Sequence, residues 1–226
     1  MSRNKNGAAN PRARTASKQV LFFGEDDHDA KAIKLLFLGL RESQSNVKAK
    51  VLRQPISLVK GLDSAKQRRR VEMVTATVRA LNTQLPVLAT VFHEDADKCE
   101  PAHIPIEKEI LALYSGLPGT VIAAIPAWEL ESWWFLFPTA TGSVRSSWRD
   151  PDQHVGKEVG KITNAKEALK LCVRPNGVRR GPRFPEYEEA DSERIAEKIV
   201  SMGLVRQPAG KSDSWTSFVK QVDDLQ

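Results

Sequence analysis

Short apolar runs alternate with longer amphipathic segments along the first 137 residues, and this alternation predicts an α/β fold. The apolar runs predict four strands, at residues 19–23, 47–53, 86–92 and 120–125. Apolar residues at helical spacing predict helices between them, at 30–41, 64–82 and 104–114. Strands that alternate with helices over short connections pair in parallel, so the expected fold is a mainly parallel sheet with helices on both faces.

The two ends of the chain differ from this pattern. Residues 1–17 are polar and basic without a periodic apolar face, which predicts a disordered N-terminal arm. Residues 18–137 are expected to form the catalytic domain, and 138–226 a loop and a small helical appendage packed on the same domain. In the appendage, 138–153 predicts a linker or surface loop. Helices are expected at residues 161–171, 190–202 and 211–225.

Carboxylates follow three of the four predicted strands. Glu25 and Asp29 come after the first strand, Asp95 and Asp97 after the third, and Glu129 and Glu131 after the fourth. The carboxyl ends of parallel strands meet at one edge of a sheet, so these acids should converge there. Glu94 alternates out of register with Asp95 and Asp97 and is expected to face solvent.

Closely spaced carboxylates repel one another, and a cation or raised pKa values must offset that cost. Hard oxygen ligands suit Mg²⁺ or Mn²⁺, so one or two such ions are the expected cofactor. All six acids are candidate ligands, with Glu25, Asp95 and Asp97 as the candidate catalytic residues. A solvated acidic loop, or for Glu129 and Glu131 a core helix with its acids in water, is the alternative.

Histidines and basic residues lie around these acids in the sequence. His28 and His93 are candidates for a base or for support of the ligands, or are simple hydrogen-bonding residues. The formal net charge is +6, which favours acidic partners such as nucleic acid. Besides the N-terminal arm, the candidate phosphate-binding residues are Arg68, Arg69, Arg70, Arg174, Arg179, Arg180 and Arg183. A basic helical face that is merely solvated remains the alternative for 68–70.

Several classes of protein lack their signature here. The sequence has no Walker loop, no Gly-x-Gly-x-x-Gly after the first strand and no Gly-x-Ser-x-Gly elbow. Two cysteines are too few for a disulfide framework or a zinc site, which predicts a reduced, cytoplasmic protein. No apolar run long enough to span a membrane and no signal peptide is present, so no membrane partner is expected.

The acid pattern resembles a TOPRIM domain, which has a glutamate after its first strand and Asp-x-Asp after its third. Glu25 and Asp95-Ala-Asp97 match these positions. Within the TOPRIM-like proteins the chain is most similar to the DUF4276 group and OLD-like members, over residues 18–225. Their first turn often reads Glu-Gly-x-Thr-Glu, and here it reads Glu25-Asp-Asp-His-Asp29. Further similarities are Glu131-Ser-Trp133, Tyr187-Glu-Glu-Ala-Asp191 and Trp215-Thr-Ser-Phe218.

The resemblance implies a Mg²⁺-dependent nuclease, acting on DNA or on RNA including tRNA. It also implies a prokaryotic antiphage or mobile-element setting, with a partner ATPase. A homo-oligomer is a separate possibility, which the resemblance does not address. Two alternatives remain: a non-catalytic binding module that kept the fold, and another phosphoryl-transfer enzyme. Asp26 stands where the family pattern has glycine, and a side chain crowding the metal at that position would favour the non-catalytic module.

Overall fold

A computed structural model describes residues 17–41, 47–52, 58–175 and 184–225. Most of the predicted N-terminal arm, residues 1–16, therefore lies outside the described residues. The strands are β1 (Lys18–Phe23), β2 (Val47–Val51), β3 (Val87–His93) and β4 (Thr120–Ala124). The helices are α1 (Asp27–Leu40), α2 (Ser64–Gln84), α3 (His103–Leu113), α4 (Glu131–Trp134), α5 (Pro138–Gly142), α6 (Ala165–Cys172), α7 (Asp191–Ser201) and α8 (Asp213–Asp223).

The four strands form one parallel sheet in the order β2-β1-β3-β4. Phe23 pairs with Phe92, and His93 pairs with Ala124, so β1, β3 and β4 end at nearly the same level. The predicted α/β fold with a parallel sheet is confirmed. The strand register therefore places the loops that follow β1, β3 and β4 at a common edge of the sheet.

Alternation along β1 explains why both faces of the sheet are covered. Val20 and Phe22 point into one core, which α1 and α7 close, and Leu21 and Phe23 point into a second core beneath α2 and α3. Strands that are apolar on both faces are typical of a sheet buried between two helical layers. The result is a three-layer arrangement with helices on both sides.

The C-terminal helices share the first of these cores. Trp133 after β4 lies 5.1 Å edge-on from Trp215 of α8 and 5.4 Å stacked on Phe218, and all three are buried. The Gln221 amide of α8 also reaches the β4 edge, where its oxygen accepts from Ala123 N at 2.9 Å and its nitrogen donates to Ala123 O at 3.2 Å. The hydrophobic core is therefore continuous between the sheet and the described residues that follow Phe137.

The segment after Phe137 differs from the sequence-based expectation of a linker. It begins with α5, in which Pro138, Ala140, Thr141 and Gly142 are buried. Gly142 allows this because a side chain there would lie 2.8 Å from the Asp150 backbone nitrogen. The small residues of this segment, whose composition predicted a linker, therefore allow close packing. None of the described helices is long and apolar enough to cross a membrane.

Candidate active site at the carboxyl edge of the sheet

The loops after β1, β3 and β4 meet at the carboxyl edge of the sheet. Asp95 N donates to Glu25 Oε2 at 3.0 Å, which ties the end of β3 to the end of β1. The β3 and β4 loops are also paired, because Asp97 N donates to Trp128 O at 2.9 Å. Asp97 and Trp128 both have positive φ, 51° and 61°, an uncommon conformation for non-glycine residues that re-aims the chain at this edge.

Glu25, Asp97 and Lys60 form what we call the outer half of the site. The Lys60 ammonium lies 3.1 Å from Glu25 Oε1 and 2.7 Å from Asp97 Oδ2. Burial alone would lower the pKa of Lys60, but the hydrogen bond to Asp97 and the charge of Glu25 outweigh it and raise the pKa. The lysine is thus a protonated cation bridging carboxylates from two strand ends.

Glu94 holds Lys60 in place and does not face solvent, so that sequence-based expectation is wrong. Its side chain is buried and accepts backbone N–H groups from Leu58 at 3.1 Å, Val59 at 3.0 Å and Lys60 at 2.8 Å. Burial raises the pKa of Glu94 while these three hydrogen bonds oppose the rise. The alternation argument failed because β3 ends at His93, and residues beyond it need not continue the pleat.

Asp29, Asp95 and Glu131 form the inner half of the site, which is more deeply buried. Asp29 is 8 % exposed and Glu131 is 5 % exposed. Burial raises the pKa of Asp29 well above its ordinary value, with Asp95, Asp26 and Glu131 adding to the rise. Burial, together with the charge of Asp95, raises the pKa of Glu131 to about 7. These shifts are the expected result of crowding carboxylates away from water.

His93 supplies a positive charge next to the inner half. It is fully buried at the last position of β3, and its Nε2 lies 3.3 Å from Asp95 Oδ1. The contact is an ion pair without hydrogen-bond geometry, since both atoms have no hydrogen-bond partner among the described residues. Burial would lower the pKa of His93, but Asp95, Asp29 and Glu25 raise it to about 9. At neutral pH His93 is therefore a cation in this arrangement, not a base.

Residues from beyond Phe137 close the inner half. Lys166, in the first turn of α6, places its ammonium 3.9 Å from Glu131 and also pairs with Glu189. Glu129 Oε2 accepts Lys166 N at 3.0 Å, so Glu129 is engaged at the start of α6 while Glu131 lies among the buried acids. Burial and the charge of Glu131 raise the pKa of Tyr187, which places that phenol near the same cluster.

The residues at 26 and 28 belong to the start of α1. Asp26 is its N-cap, and Oδ1 accepts Asp29 N at 2.9 Å. Its φ of −136° is extended, so the backbone there does not require glycine. The Asp26 carboxylate is thus used in capping, which removes the crowding argument that this position offered from sequence. His28 lies half-buried in the same first helical turn.

The candidate phosphate-binding residues are distributed unevenly. Arg68 and Arg69 are exposed near the start of α2 and Arg70 is half-buried. Arg174 pairs with Glu186 at 2.5 Å with a side chain only 14 % exposed, a position suited to holding the fold. Arg179, Arg180 and Arg183 lie outside the described residues. Of the predicted residues that the structure describes, Arg68 and Arg69 are therefore the ones exposed to solvent.

The chemistry of the donor set fits a hard divalent cation. The carboxylates of both halves are oxygen donors of the type Mg²⁺ and Mn²⁺ prefer. The buried Oδ1 of Asp95 has no hydrogen-bond partner among the described residues, which is an acceptor available to a ligand. As the side chains stand, no three described His, Cys, Asp or Glu residues come close enough together to hold an ion. Binding would therefore require the side chains to rearrange.

Two site residues carried no clear signal in the sequence. Lys60 follows two apolar residues and precedes Gly61, with no motif around it. Lys166 comes from a helix far along the chain, and only the tertiary fold brings it to Glu131. Their role is to offset the negative charge that the strand-end acids create.

Comparisons with known proteins leave the family open. No family model, no curated protein and no solved structure matches the chain at a significant level. The TOPRIM resemblance and the site residues drawn from it therefore stay predictions. The sheet order supports the fold assignment, and the contacts at the carboxyl edge of the sheet support the candidate site.

Proposed function

We propose that the protein is a Mg²⁺- or Mn²⁺-dependent nuclease that hydrolyses phosphodiester bonds in nucleic acid. The observation that carries the proposal is the convergence of acids from three strand ends, with Glu25 bonded to the Asp95 backbone and Asp29, Asp95 and Glu131 coupled electrostatically. Such a group of buried acids is costly to keep charged, and a bound divalent cation would offset the repulsion among them. Exposed arginines near the start of α2 supply charge for a phosphate backbone.

The residues divide the work by position. Glu25 and Asp97 would hold a cation in the outer half, and Asp95, Asp29 and Glu131 would hold one in the inner half. A divalent ion bound there supplies neutralisation of the phosphate charge and activation of the attacking water. Hydrolysis would form a P–O bond from water and break the bond to the leaving oxygen, which takes up a proton from solvent. As the alternative to its ligand role, the Glu25 carboxylate, one-quarter exposed, is the candidate acceptor of the proton of the attacking water.

The setting implied by the TOPRIM resemblance belongs to the proposal as well. An effector in antiphage defence with a partner ATPase fits a chain that has no Walker loop in its sequence. Either DNA or RNA, including tRNA, is compatible with the charge of the α2 surface.

Calorimetric titration with Mn²⁺, followed by cleavage assays on duplex DNA, single-stranded RNA and tRNA, tests the proposal. Asp95→Asn should weaken Mn²⁺ binding and abolish cleavage, because it removes the negative charge of a carboxylate that is a candidate metal ligand. Asp27→Asn is the matched control, since that acid lies exposed in the first turn of α1 and pairs with Lys31 outside the cluster. Absence of Mn²⁺ binding in the unaltered protein and its variants, or cleavage that survives Asp95→Asn, would contradict the proposal.

A non-catalytic binding module is the second candidate, and one observation favours it. Lys60, His93 and Lys166 already place positive charge against both halves of the site. A protein that kept the fold and lost the chemistry would balance its acids in this way. The titration separates the two candidates, because a module of this kind would bind neither Mg²⁺ nor Mn²⁺.

A further inference from the structure

The outer half of the site already contains a cation, and this cation is part of the protein. The Lys60 ammonium contacts Glu25 from the β1 loop and Asp97 from the β3 loop, at 3.1 Å and 2.7 Å. Those are the two carboxylates that a divalent ion in the outer half would need. Two cations cannot share the same oxygen atoms at contact distance without strong repulsion.

We propose that Lys60 and the divalent cation compete for Glu25 and Asp97, so that metal loading displaces the ammonium from between them. The proposal rests on the proposed function, since it assumes that a divalent ion binds at this edge. It adds a residue that the acid motif does not contain, and assigns it the role of controlling metal affinity.

The attachment of Lys60 explains how the ammonium can be displaced without loss of the local fold. The backbone of residues 58–60 is fixed by the buried Glu94 carboxylate through three N–H groups. Only the side chain of Lys60 reaches across to the acids, and it is one-quarter exposed. A long flexible side chain on an anchored backbone can swing from the carboxylates while its own loop stays in place.

The displaced ammonium would remain beside the bound ion, because Glu94 directly precedes Asp95 in the chain. Glu94 therefore connects the Lys60 loop to the strand end that carries the inner ligand. An ammonium released at that position can form an ion pair with an anion that binds at the metal. In the proposed reaction that anion is a phosphate group of the nucleic acid. The same lysine would then neutralise acids before metal loading and phosphate after it.

The experiment is a Mn²⁺ titration of the full chain by calorimetry, comparing the unaltered protein with Lys60→Met. Methionine keeps the unbranched apolar stem and removes the charge. Competition predicts that Lys60→Met binds Mn²⁺ at least about fivefold more tightly, a discounted figure for a partly exposed ion pair. Lys66→Ala is the control for the loss of one positive charge, because Lys66 is exposed on the first turn of α2 and pairs with Asp63. Its Mn²⁺ affinity should change much less.

The outcomes separate the two ideas. Tighter binding in Lys60→Met than in Lys66→Ala supports competition, and so does binding seen only once Lys60 is replaced. If the unaltered protein binds Mn²⁺, and Lys60→Met binds it no more tightly than the unaltered protein or than Lys66→Ala does, the competition is overturned and the proposed function is unaffected. If neither the unaltered protein nor Lys60→Met binds Mn²⁺, the metal-dependent function fails as well. Circular dichroism and the unfolding midpoint of each variant show that the fold is intact.

Discussion

The backbone N–H of Asp95 donates to the carboxylate of Glu25 at 3.0 Å, across two adjacent strands of the sheet. Oε2 of Glu25 accepts this bond and also lies 3.3 Å from the Lys60 ammonium, while Oε1 lies 3.1 Å from the same ammonium. Position in the sheet, not proximity in sequence, therefore sets the geometry of the cluster.

Glu25→Gln should weaken Mn²⁺ binding by more than about tenfold and abolish phosphodiester cleavage, because the variant loses a charged oxygen ligand. The hydrogen bond from Asp95 N can be kept by the amide oxygen of glutamine, so the fold should persist. Calorimetry and a cleavage assay measure the two effects. Glu72→Gln, an exposed acid on α2, serves as the control and should behave like the unaltered protein.

Glu131→Gln should stabilise the protein in EDTA at pH 8 and have little effect at pH 5. The folded-state pKa of Glu131 is about 7, above its ordinary value of 4.5, so the unaltered protein loses stability as pH rises through that window. The gain in unfolding free energy at pH 8 should be on the order of 2–3 kcal/mol. Urea unfolding at both pH values measures it. An equal effect at pH 5 and pH 8 would contradict the assignment, and Glu197→Gln, at an exposed position of α7, is the control.

Glu94→Gln should loosen the loop at residues 58–60. The carboxylate accepts three backbone N–H groups there, and a glutamine amide brings one oxygen and two unwanted hydrogens. We expect a loss of about 1–3 kcal/mol in unfolding free energy. Hydrogen exchange should show faster exchange at Leu58, Val59 and Lys60 than in the unaltered protein. Unchanged protection of these amides would refute the anchoring role.

Asp191→Asn should destabilise the protein far more than Asp223→Asn. Asp191 is 1 % exposed and accepts Arg145 at 2.8 Å and 2.9 Å, so the substitution leaves a partly buried guanidinium without its counter-charge. The expected cost is about 3 kcal/mol, by comparison with other buried pairs. Asp223 pairs with Arg206 at 2.7 Å on the surface, where the cost should be below about 1 kcal/mol. Similar unfolding free energies for the two variants would contradict this difference.

Arg68→Ala combined with Arg69→Ala should weaken nucleic-acid binding and reduce its salt dependence. Each arginine–phosphate ion pair that is removed should reduce the slope of log K against log salt by about 1, so the double variant should reduce it by about 2 if both arginines contact phosphates. Fluorescence anisotropy with labelled DNA and RNA at several salt concentrations measures both effects. Lys198→Ala combined with Lys220→Ala, on exposed positions of α7 and α8, controls for net charge. An equal loss of affinity in both double variants would mean that α2 is not a specific contact surface.

Much of the fold follows from sequence pattern because β1 and β3 are apolar on both faces and each described strand is followed by a helix. The start of α2 is an example of a local signal, since aspartate is a preferred N-cap residue and the Asp63 side chain accepts Lys66 N at 2.8 Å. The α5 segment shows the opposite case. Its composition of Pro, Thr, Gly and Ala is typical of a loop. Only the close approach of the Asp150 backbone to Gly142 shows that the segment is tightly packed.

The acids at the site were predictable and their counter-charges were not. Strand-end position is a one-dimensional signal, so Glu25 and Asp95 could be expected at one edge. The positions of Lys60 and Lys166 depend on loop paths and on a helix from a distant part of the chain. The environment of Glu94 was mispredicted for the same reason, because the backbone N–H groups of Leu58, Val59 and Lys60, which donate to it, belong to a loop 34–36 positions earlier.

The contact between Gln221 and Ala123 has a consequence for how the sheet ends. A side-chain amide there occupies a donor and an acceptor that a further strand would otherwise use. At the opposite edge, Lys48 and Lys50 of β2 are exposed, and lysines on an edge strand discourage strand addition. The two edges of the described sheet are thus protected by different means, one by a glutamine that imitates a neighbouring backbone and the other by charge.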